Sequence, residues 1–200
     1  MPNHYICKTL RPLFVIAAAV LLGSSIAQTP LSKPQDALAS IKPEEWVSNL
    51  QPSMGSTSAP IKVVFFIDYE CPTCRAADPQ IRRAVLKRSD VSLTYREFPL
   101  SHHSLAKPAA VVVENARLHG TFDLAHRRLM EGQTLTENAI KDAARKAGVP
   151  TVGTSQATGQ IESDHVLEQR VHLLSTPSFI VIENGKASLM NKQQLLVFLK

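Results

Sequence analysis

Hydrophobic residues form a nearly unbroken run at 61–67, which is typical of a strand buried on both faces. The next segment repeats apolar residues every four positions, at Ala77, Ile81 and Val85, and this predicts a helix with one buried face. A second strand is predicted at 91–98, where apolar and polar residues alternate. Strand, helix and strand in this order indicate a βαβ unit with parallel strands.

The residues after this unit have helical periodicity. Apolar residues recur at three- and four-residue spacing in successive segments, and this predicts four helices. Thr134 or Thr136 is the expected N-cap of the third helix, and Gly148 is its expected end. The four segments are 104–118, 121–132, 134–148 and, with the weakest periodicity, 154–175.

Strand patterns return at the C-terminal end. Residues 178–183 are predicted to form a strand, Asn184 and Gly185 a tight hairpin turn, and 186–190 the partner strand. Leucines at helical spacing then predict a closing helix around 195–199.

The N-terminal segment has the three parts of a secretory signal peptide. Lys8 and Arg11 form a basic start, 13–22 is an apolar run of ten residues, and Ser25 and Ala27 are the small residues that signal peptidase requires. A membrane anchor is the alternative, but this run is shorter than the roughly 20 apolar residues of a spanning helix. We therefore expect residues 1–27 to be removed by cleavage after Ala27.

Composition places the chain among ordinary globular proteins, with 44% hydrophobic and 20% charged residues. Residues 28–60 are predicted to be an N-terminal lead-in with one short helix near 43–47, because they are rich in Pro, Ser and Gln. Without the signal peptide the chain has 20 basic and 17 acidic residues, a net charge of +3. This small excess does not favour nucleic acid as a partner.

Two cysteines follow the first strand in the sequence Cys71-Pro72-Thr73-Cys74, where a helix is expected to begin. The partial positive charge at a helix N-terminus stabilises a thiolate, which lowers the pKa of the thiol and makes Cys71 the candidate nucleophile. We expect the Cys71 sulfur at the exposed end of the helix. Cys74, one turn further on, is expected to be more buried; it can close a disulfide with Cys71 and is the candidate resolving thiol. A bridge across two residues constrains the unfolded chain little. The pair therefore indicates thiol–disulfide exchange.

The order of motifs resembles the DsbA-like branch of the thioredoxin superfamily. A strand, Cys-Pro-x-Cys, a helix, an all-helical insertion and the sequence Ser-Thr-Pro-Ser-Phe at 175–179 follow one another, and 66–72 and 96–100 are similar to that branch. The resemblance implies an α/β, thioredoxin-like fold over 61–200, with a helical domain inserted at about 104–174.

The resemblance also implies roles for residues near the cysteines. Pro177 would be the cis-proline whose loop faces the cysteine pair, and Thr176 would present backbone groups to an extended peptide. A turn before an edge strand is the structural alternative for Pro177. Pro72 and Thr73 would tune the redox potential, although Thr73 supplies a hydroxyl and lacks the charge that a histidine could supply. The alternative for Thr73 is that it only fills a position at the start of the helix and has no effect on the redox potential.

The charged residues near the cysteines differ from the pattern of the relatives. Relatives often have a buried acid six residues before the first cysteine, where it relays protons to the inner thiol, and this chain has Phe65 there. Asp68 is the candidate replacement, with a capping role at the helix start as its alternative. Otherwise a water molecule is the relay, or turnover is slow. Asp68 and Glu70 are expected to be solvated. Three arginines of the helix are expected to form a solvated face: Arg75, Arg82 and Arg83.

Other functions are compatible with the cysteine pair. His102 and His103 could complete a Cys₂His₂ zinc site, but adjacent histidines suit one tetrahedral ion poorly, so no metal site is expected. Client binding, or Cu(I) binding by Cys71 and Cys74, would need no turnover. A reductase or isomerase would use the same chemistry. Isomerases of this superfamily commonly have a sizeable N-terminal dimerisation domain, for which 28–60 is too short.

From the residues and the resemblance together we expect an exported, periplasmic protein disulfide oxidoreductase that forms disulfides in other exported proteins. The Cys71–Cys74 disulfide is the redox group, so no cofactor is expected. The expected partners are exported proteins with cysteines and a membrane or soluble redox protein that regenerates the disulfide. The chain is expected to be a monomer or a small homo-oligomer.

Overall fold

The structure is a computed structural model that describes residues 34–47 and 53–200, together with Met1. The predicted signal peptide at 1–27 lies, Met1 apart, outside the described residues. Parts of the predicted lead-in, at 28–33 and 48–52, lie outside them as well. In the described part of the chain, no helix combines the length and apolarity needed to cross a bilayer.

From residue 61 onward, each helix and strand that the sequence predicts is present, so these predictions are confirmed. The four predicted helices of the insertion lie between the second βαβ strand and the C-terminal hairpin. In chain order the described elements are α1 (Pro34–Ala39), α2 (Pro43–Trp46), β1 (Ser53–Gly55), β2 (Ile61–Ile67), α3 (Pro72–Val85), β3 (Val91–Glu97), α4 (Ala106–Leu118), α5 (Phe122–Met130), α6 (Glu137–Ala147), α7 (Ser155–Arg170), β4 (Ser178–Glu183), β5 (Lys186–Met190) and α8 (Lys192–Phe198).

The strands form one mixed sheet in the order β1-β3-β2-β4-β5. β2 and β3 are parallel, with Ile67 opposite Glu97, and α3 connects them, so the predicted βαβ unit is confirmed. β4 lies antiparallel to β2 on its other side, with Phe66 opposite Ser178. β2 is therefore central, as its continuous apolar run predicts.

This topology places two loops side by side. The end of β2 leads into the cysteine sequence, and the loop before β4 contains Pro177. Because β2 and β4 are antiparallel neighbours and Phe66 is opposite Ser178, the two loops leave the sheet at the same edge. The sheet register therefore brings together segments that lie about 100 residues apart in sequence.

β1 was not predicted, because its three residues lie in a turn-rich segment. It pairs antiparallel with β3, with Met54 opposite Leu93. Gly55 has a positive φ of 82°, and a Cβ there would lie 2.3 Å from the backbone oxygen of Val91. Only glycine therefore allows this close approach of the two strands.

Alternate residues of the strands pack on opposite faces of the sheet. One face, which includes Phe65 and Phe179, packs with α3 and α8 and with α4 to α6. The other face, which includes Phe66, packs with the lead-in and with the end of α7. The predicted short helix near 43–47 is confirmed as α2, and its Trp46 is fully buried edge-on to Phe66. The lead-in therefore contributes to the core.

Candidate active site

Cys71 is the N-cap residue of α3, and Pro72 occupies the first helical turn without the loss of a hydrogen bond. Cys74 lies inside that turn and is fully buried. Cys71 was expected at an exposed helix end, but this prediction is wrong, because the residue is only 6% exposed. The loop before β4 covers it, and the Cys71 Sγ lies 3.6 Å from the backbone oxygen of Thr176.

The Thr176–Pro177 peptide bond is cis, the conformation that the resemblance implied. Thr176 is buried, and its carbonyl faces both the Cys71 sulfur and the Thr73 hydroxyl, the latter at 3.4 Å. The structure thus brings together the cysteine pair, Thr73 and the loop with Pro177, as the predicted site requires.

The environment of Cys71 favours the thiolate. The pKa of Cys71 is lowered to about 4, first by the hydrogen bond from the Cys74 thiol and also by the Thr73 hydroxyl, whose oxygen is 3.0 Å from the Cys71 sulfur. Burial opposes this shift but is outweighed. The Thr73 hydroxyl has one proton and two acceptors in reach, so it can turn from the Thr176 carbonyl to the sulfur when Cys71 ionises.

The environment of Cys74 favours the protonated thiol. Burial raises its pKa strongly, and its hydrogen bond to Cys71 raises the pKa further, because that bond requires the Cys74 proton. At neutral pH the outer sulfur is therefore ionised and the inner sulfur holds a proton. This pairing supplies one nucleophile and one protonated partner within a single helical turn.

Asp68 is buried, so the prediction that it is solvated is wrong. Its Oδ1 accepts hydrogen bonds from the backbone N–H groups of Glu70, at 2.7 Å, and Cys71, at 3.2 Å. Its Oδ2 accepts from the backbone N–H of Leu100, at 3.0 Å, and from Nδ1 of His103, at 2.7 Å. One carboxylate thus links the loop before α3 to the loop after β3 through three backbone N–H groups and one imidazole.

Arg75 is also buried, so the prediction of a solvated arginine face is wrong at this residue. Its Nη1 donates to the backbone oxygens of Tyr69 and Leu129, at 2.9 and 2.6 Å, and its Nη2 to those of Glu131 and Gly132. The guanidinium thus fixes the C-terminal end of α5 to the loop before the cysteines. Arg82 is half-buried in an ion pair with Asp123, whereas Arg83 is exposed as predicted.

A buried polar chain under α3 was not predicted. The Tyr69 hydroxyl lies 2.8 Å from Nδ1 of His126, and the Nε2 of His126 lies 3.3 Å from the Asp78 carboxylate. The Tyr95 hydroxyl donates to the other Asp78 oxygen at 2.7 Å. Asp78 follows Cys74 by one helical turn on the buried face, and this spacing is the sequence signal that could have revealed it.

Phe65, where relatives often have an acid, packs in an aromatic cluster. Its ring centroid lies 4.5 Å from that of Phe179 and 5.6 Å from that of Tyr95. His102 and His103 lie in the loop after β3, with ring centroids 4.3 Å apart. Among the described residues, no group of three or more His, Cys, Asp or Glu side chains is arranged to hold a metal ion. The zinc alternative therefore has no ligand set in residues 34–47 and 53–200.

Comparison with known proteins places this site in a family. Residues 48–199 match the family described as thioredoxin. The Na⁺/H⁺ antiporter NhaA 3 of Salinispora tropica is 35% identical over 80 residues, which are 40% of this chain and only 12% of the antiporter. The disulfide bond formation protein D of Bacillus subtilis is 26% identical over 66% of this chain and 67% of that protein.

Two further comparisons cover more of the chain. The thiol:disulfide interchange protein DsbA of Bordetella pertussis is 24% identical over 83% of this chain and 81% of that protein. The catalytic domain of Proteus mirabilis ScsC has a similar fold, with a TM-score of 0.69, 22% identity, and coverage of 82% of this chain and 96% of that domain. The predicted α/β, thioredoxin-like fold is therefore confirmed. The chain belongs to the thioredoxin family, and its predicted resemblance to the DsbA-like thiol–disulfide oxidoreductases of that superfamily is confirmed.

Proposed function

We propose that this chain is an exported thiol–disulfide oxidoreductase that acts as an oxidase and transfers a Cys71–Cys74 disulfide to cysteines of other exported proteins. The opposite pKa shifts of two sulfurs within one helical turn support this proposal above all. A structural cysteine pair would need neither an ionised outer sulfur nor a protonated inner one. Export to the periplasm is supported by the signal-like sequence at 1–27.

The proposed reaction has two exchange steps. A thiolate of the substrate attacks the Cys71 sulfur of the disulfide, the sulfur–sulfur bond breaks, and the electron pair leaves with the Cys74 sulfur, which then takes up a proton. A second substrate thiolate attacks the substrate sulfur of the mixed disulfide and releases Cys71 as a thiolate. The substrate loses two electrons and two thiol protons. Cys74 takes up one proton, the other goes to solvent, and the protein is left reduced, with Cys71 as a thiolate and Cys74 as a thiol.

The stability of the reduced protein, which is the product of the reaction, supports transfer of the disulfide from this protein to its substrate. The released Cys71 thiolate accepts hydrogen bonds from Cys74 and Thr73, so the dithiol form is stabilised relative to the disulfide. A thiol with a low pKa is also a good leaving group. The loop with the half-buried Pro177 contacts the Cys71 sulfur, and we propose that an extended substrate chain binds beside this loop. We propose that no cofactor is needed, because the disulfide itself accepts the two electrons from the substrate.

The partners follow from the same chemistry. The substrates would be exported proteins with reduced cysteine pairs, and a membrane or soluble redox partner would reoxidise the dithiol after each turnover. Both are proposals that rest on the exchange reaction.

Trapping of the mixed disulfide tests the exchange. In Cys74→Ala the resolving thiol is absent, so Cys71 is expected to accumulate mixed disulfides with cysteine-containing exported proteins, visible as reducible bands of higher mass. The matched control is the double variant Cys71→Ala and Cys74→Ala, which should give none. A Cys74→Ala protein without such bands would contradict an oxidoreductase and leave a binding module.

Equilibration with glutathione tests the direction. An oxidase is expected to have a reduction potential toward that of strong oxidants, about −120 mV, whereas a reductase would lie near about −270 mV. A value at the reducing end would contradict the oxidase assignment and would leave the exchange chemistry intact.

A further inference from the structure

His103 lies next to the cysteine site but in a different loop. It belongs to the segment between β3 and α4, and its side chain is 18% exposed. Its Nδ1 lies 2.7 Å from Oδ2 of Asp68, while the other oxygen of the same carboxylate accepts the backbone N–H of Cys71 at 3.2 Å. The imidazole is therefore held to the N-terminal end of α3 through a single buried carboxylate.

The groups around His103 favour its protonated form. The pKa of His103 is raised, first by the hydrogen bond with Asp68; burial opposes the shift but is outweighed, because the charges of Asp68, Glu70 and the Cys71 thiolate also raise the pKa. His102, whose ring stacks at a tilt on that of His103, is the other titratable neighbour. The acidic groups at the start of α3 and in the loop before it thus act in one direction, because each attracts the imidazolium.

Glu70 strengthens the connection between the two loops. Its Oε2 accepts a hydrogen bond from the backbone N–H of Leu105, at 2.6 Å. The segment with His103 is therefore fixed to the segment before Cys71 at two points, Asp68 and Glu70. A charge held in this way changes its distance to the sulfur little, so its effect on the thiolate is a built-in property of the site.

We infer that His103 is a positioning residue of this site, whose imidazolium, fixed by Asp68, stabilises the Cys71 thiolate from the loop after β3. The dipeptide between the cysteines supplies the hydroxyl of Thr73 but no charge, so His103 provides the positive charge that this dipeptide lacks. The inference deepens the proposed oxidoreductase function and rests on it for its biological role.

The thiolate titration of reduced protein tests the inference. Ultraviolet absorbance of the thiolate reports the pKa of Cys71 in the wild type, in His103→Asn and in His102→Asn. Asparagine keeps an N–H donor for Asp68 and removes the charge. We expect the pKa of Cys71 to rise by about half a unit to one unit in His103→Asn, and to stay within about 0.2 units in the neighbouring His102→Asn control.

A reciprocal titration does not require any change at His103. Because coupling between two sites is symmetric, removal of the Cys71 charge must lower the pKa of His103 by the amount that removal of the His103 charge raises the pKa of Cys71. Proton NMR of the imidazole in reduced wild type and in Cys71→Ser measures this shift. It keeps the inference testable even if His103→Asn fails to fold.

The outcomes separate this inference from the proposed function. Equal Cys71 pKa values in the wild type and His103→Asn, or equal His103 pKa values in the wild type and Cys71→Ser, would overturn the inference, whatever the trapping experiment gives. Shifted pKa values would support the coupling even if Cys74→Ala trapped no mixed disulfide, and in that case only the proposed function would fail.

Discussion

The ionised state of Cys71 predicts that the reduced protein loses stability in acid faster than the oxidised protein does. The pKa of Cys71 is about 4 in the folded dithiol, against a value of 9.0 for an unperturbed thiol. A group whose pKa is depressed by folding stabilises the folded state above the unperturbed pKa, and this contribution is lost as the pH falls through the folded pKa. The window for Cys71 is therefore pH 9 to pH 4.

The magnitude follows from the same two pKa values. At pH 7 the folded thiol is three units above its pKa of about 4, and the unfolded thiol is still protonated. At about 1.4 kcal/mol per unit, the ionised Cys71 stabilises the reduced protein by up to about 4 kcal/mol at pH 7, and by less than about 0.5 kcal/mol at pH 4. Between pH 4 and pH 7 Cys74 adds nothing, because its raised pKa keeps it protonated in the folded state and an ordinary thiol is protonated in the unfolded state.

The assay is urea unfolding of the reduced and the oxidised protein at several pH values from 7 to 4. The two forms differ only in the thiols, so the difference between the two free energies of unfolding reports the thiols together with groups coupled to them, such as His103. We expect this difference to change by about 4 kcal/mol across the window, in the direction that destabilises the reduced form in acid. Reduced Cys71→Ser should follow the slope of the oxidised protein. Parallel pH profiles for the reduced and oxidised wild type would refute the assignment of an ionised Cys71.

The same free energy sets the redox behaviour. Stabilisation of the dithiol makes the disulfide a stronger oxidant, and for a two-electron couple about 4 kcal/mol corresponds to about 90 mV. The stabilisation of the reduced form from urea unfolding and the reduction potential from glutathione must therefore agree, because both measure how much the fold stabilises the reduced cysteine pair.

Two substitutions on α3 test individual contacts of the site. Thr73→Val removes the hydroxyl 3.0 Å from the Cys71 sulfur, so the pKa of Cys71 is expected to rise by about one unit, measured by thiolate absorbance. An unchanged titration would show that this hydroxyl does not serve the thiolate. Arg75→Met removes four hydrogen bonds to backbone oxygens and is expected to cost about 3 kcal/mol in urea unfolding. The exposed Arg83→Met on the same helix is its control, expected within about 0.5 kcal/mol of the wild type, and equal losses for the two would contradict the role of Arg75.

The sequence predicts those features that depend on neighbouring residues. The apolar run of β2, the four-residue spacing along α3 and the Asn184-Gly185 turn each depend on local geometry, and all three predictions are confirmed. The place of Cys71 and Cys74 at the start of α3 follows in the same way, since a strand, a proline and a helix pattern are consecutive there.

The features that the sequence does not predict depend on partners far along the chain. Arg75 is buried because it donates hydrogen bonds to backbone oxygens at the C-terminal end of α5, 54 or more residues later. Asp68 is buried because it finds donors in the loop after β3, 32 and 35 residues later. From the sequence alone, a charged residue beside a helix start is expected to be exposed to solvent, because its distant partners are not known. β1 could not be predicted for the same reason, because its three residues form a strand only by pairing with β3.

The contacts of Asp68 bear on how Cys74 regains its proton. A relay acid must take up a proton and pass it on, but each oxygen of Asp68 already accepts two hydrogen bonds, and protonation would break at least one of them. Phe65, at the position where relatives often have an acid, lies among aromatic rings. We therefore propose that Asp68 acts as a cap and as the anchor of His103, and that the proton for Cys74 comes from the substrate thiol or from solvent. In this arrangement the four hydrogen bonds of the carboxylate hold the loop before α3 to the loop after β3, and the carboxylate needs no change of partners when the disulfide opens.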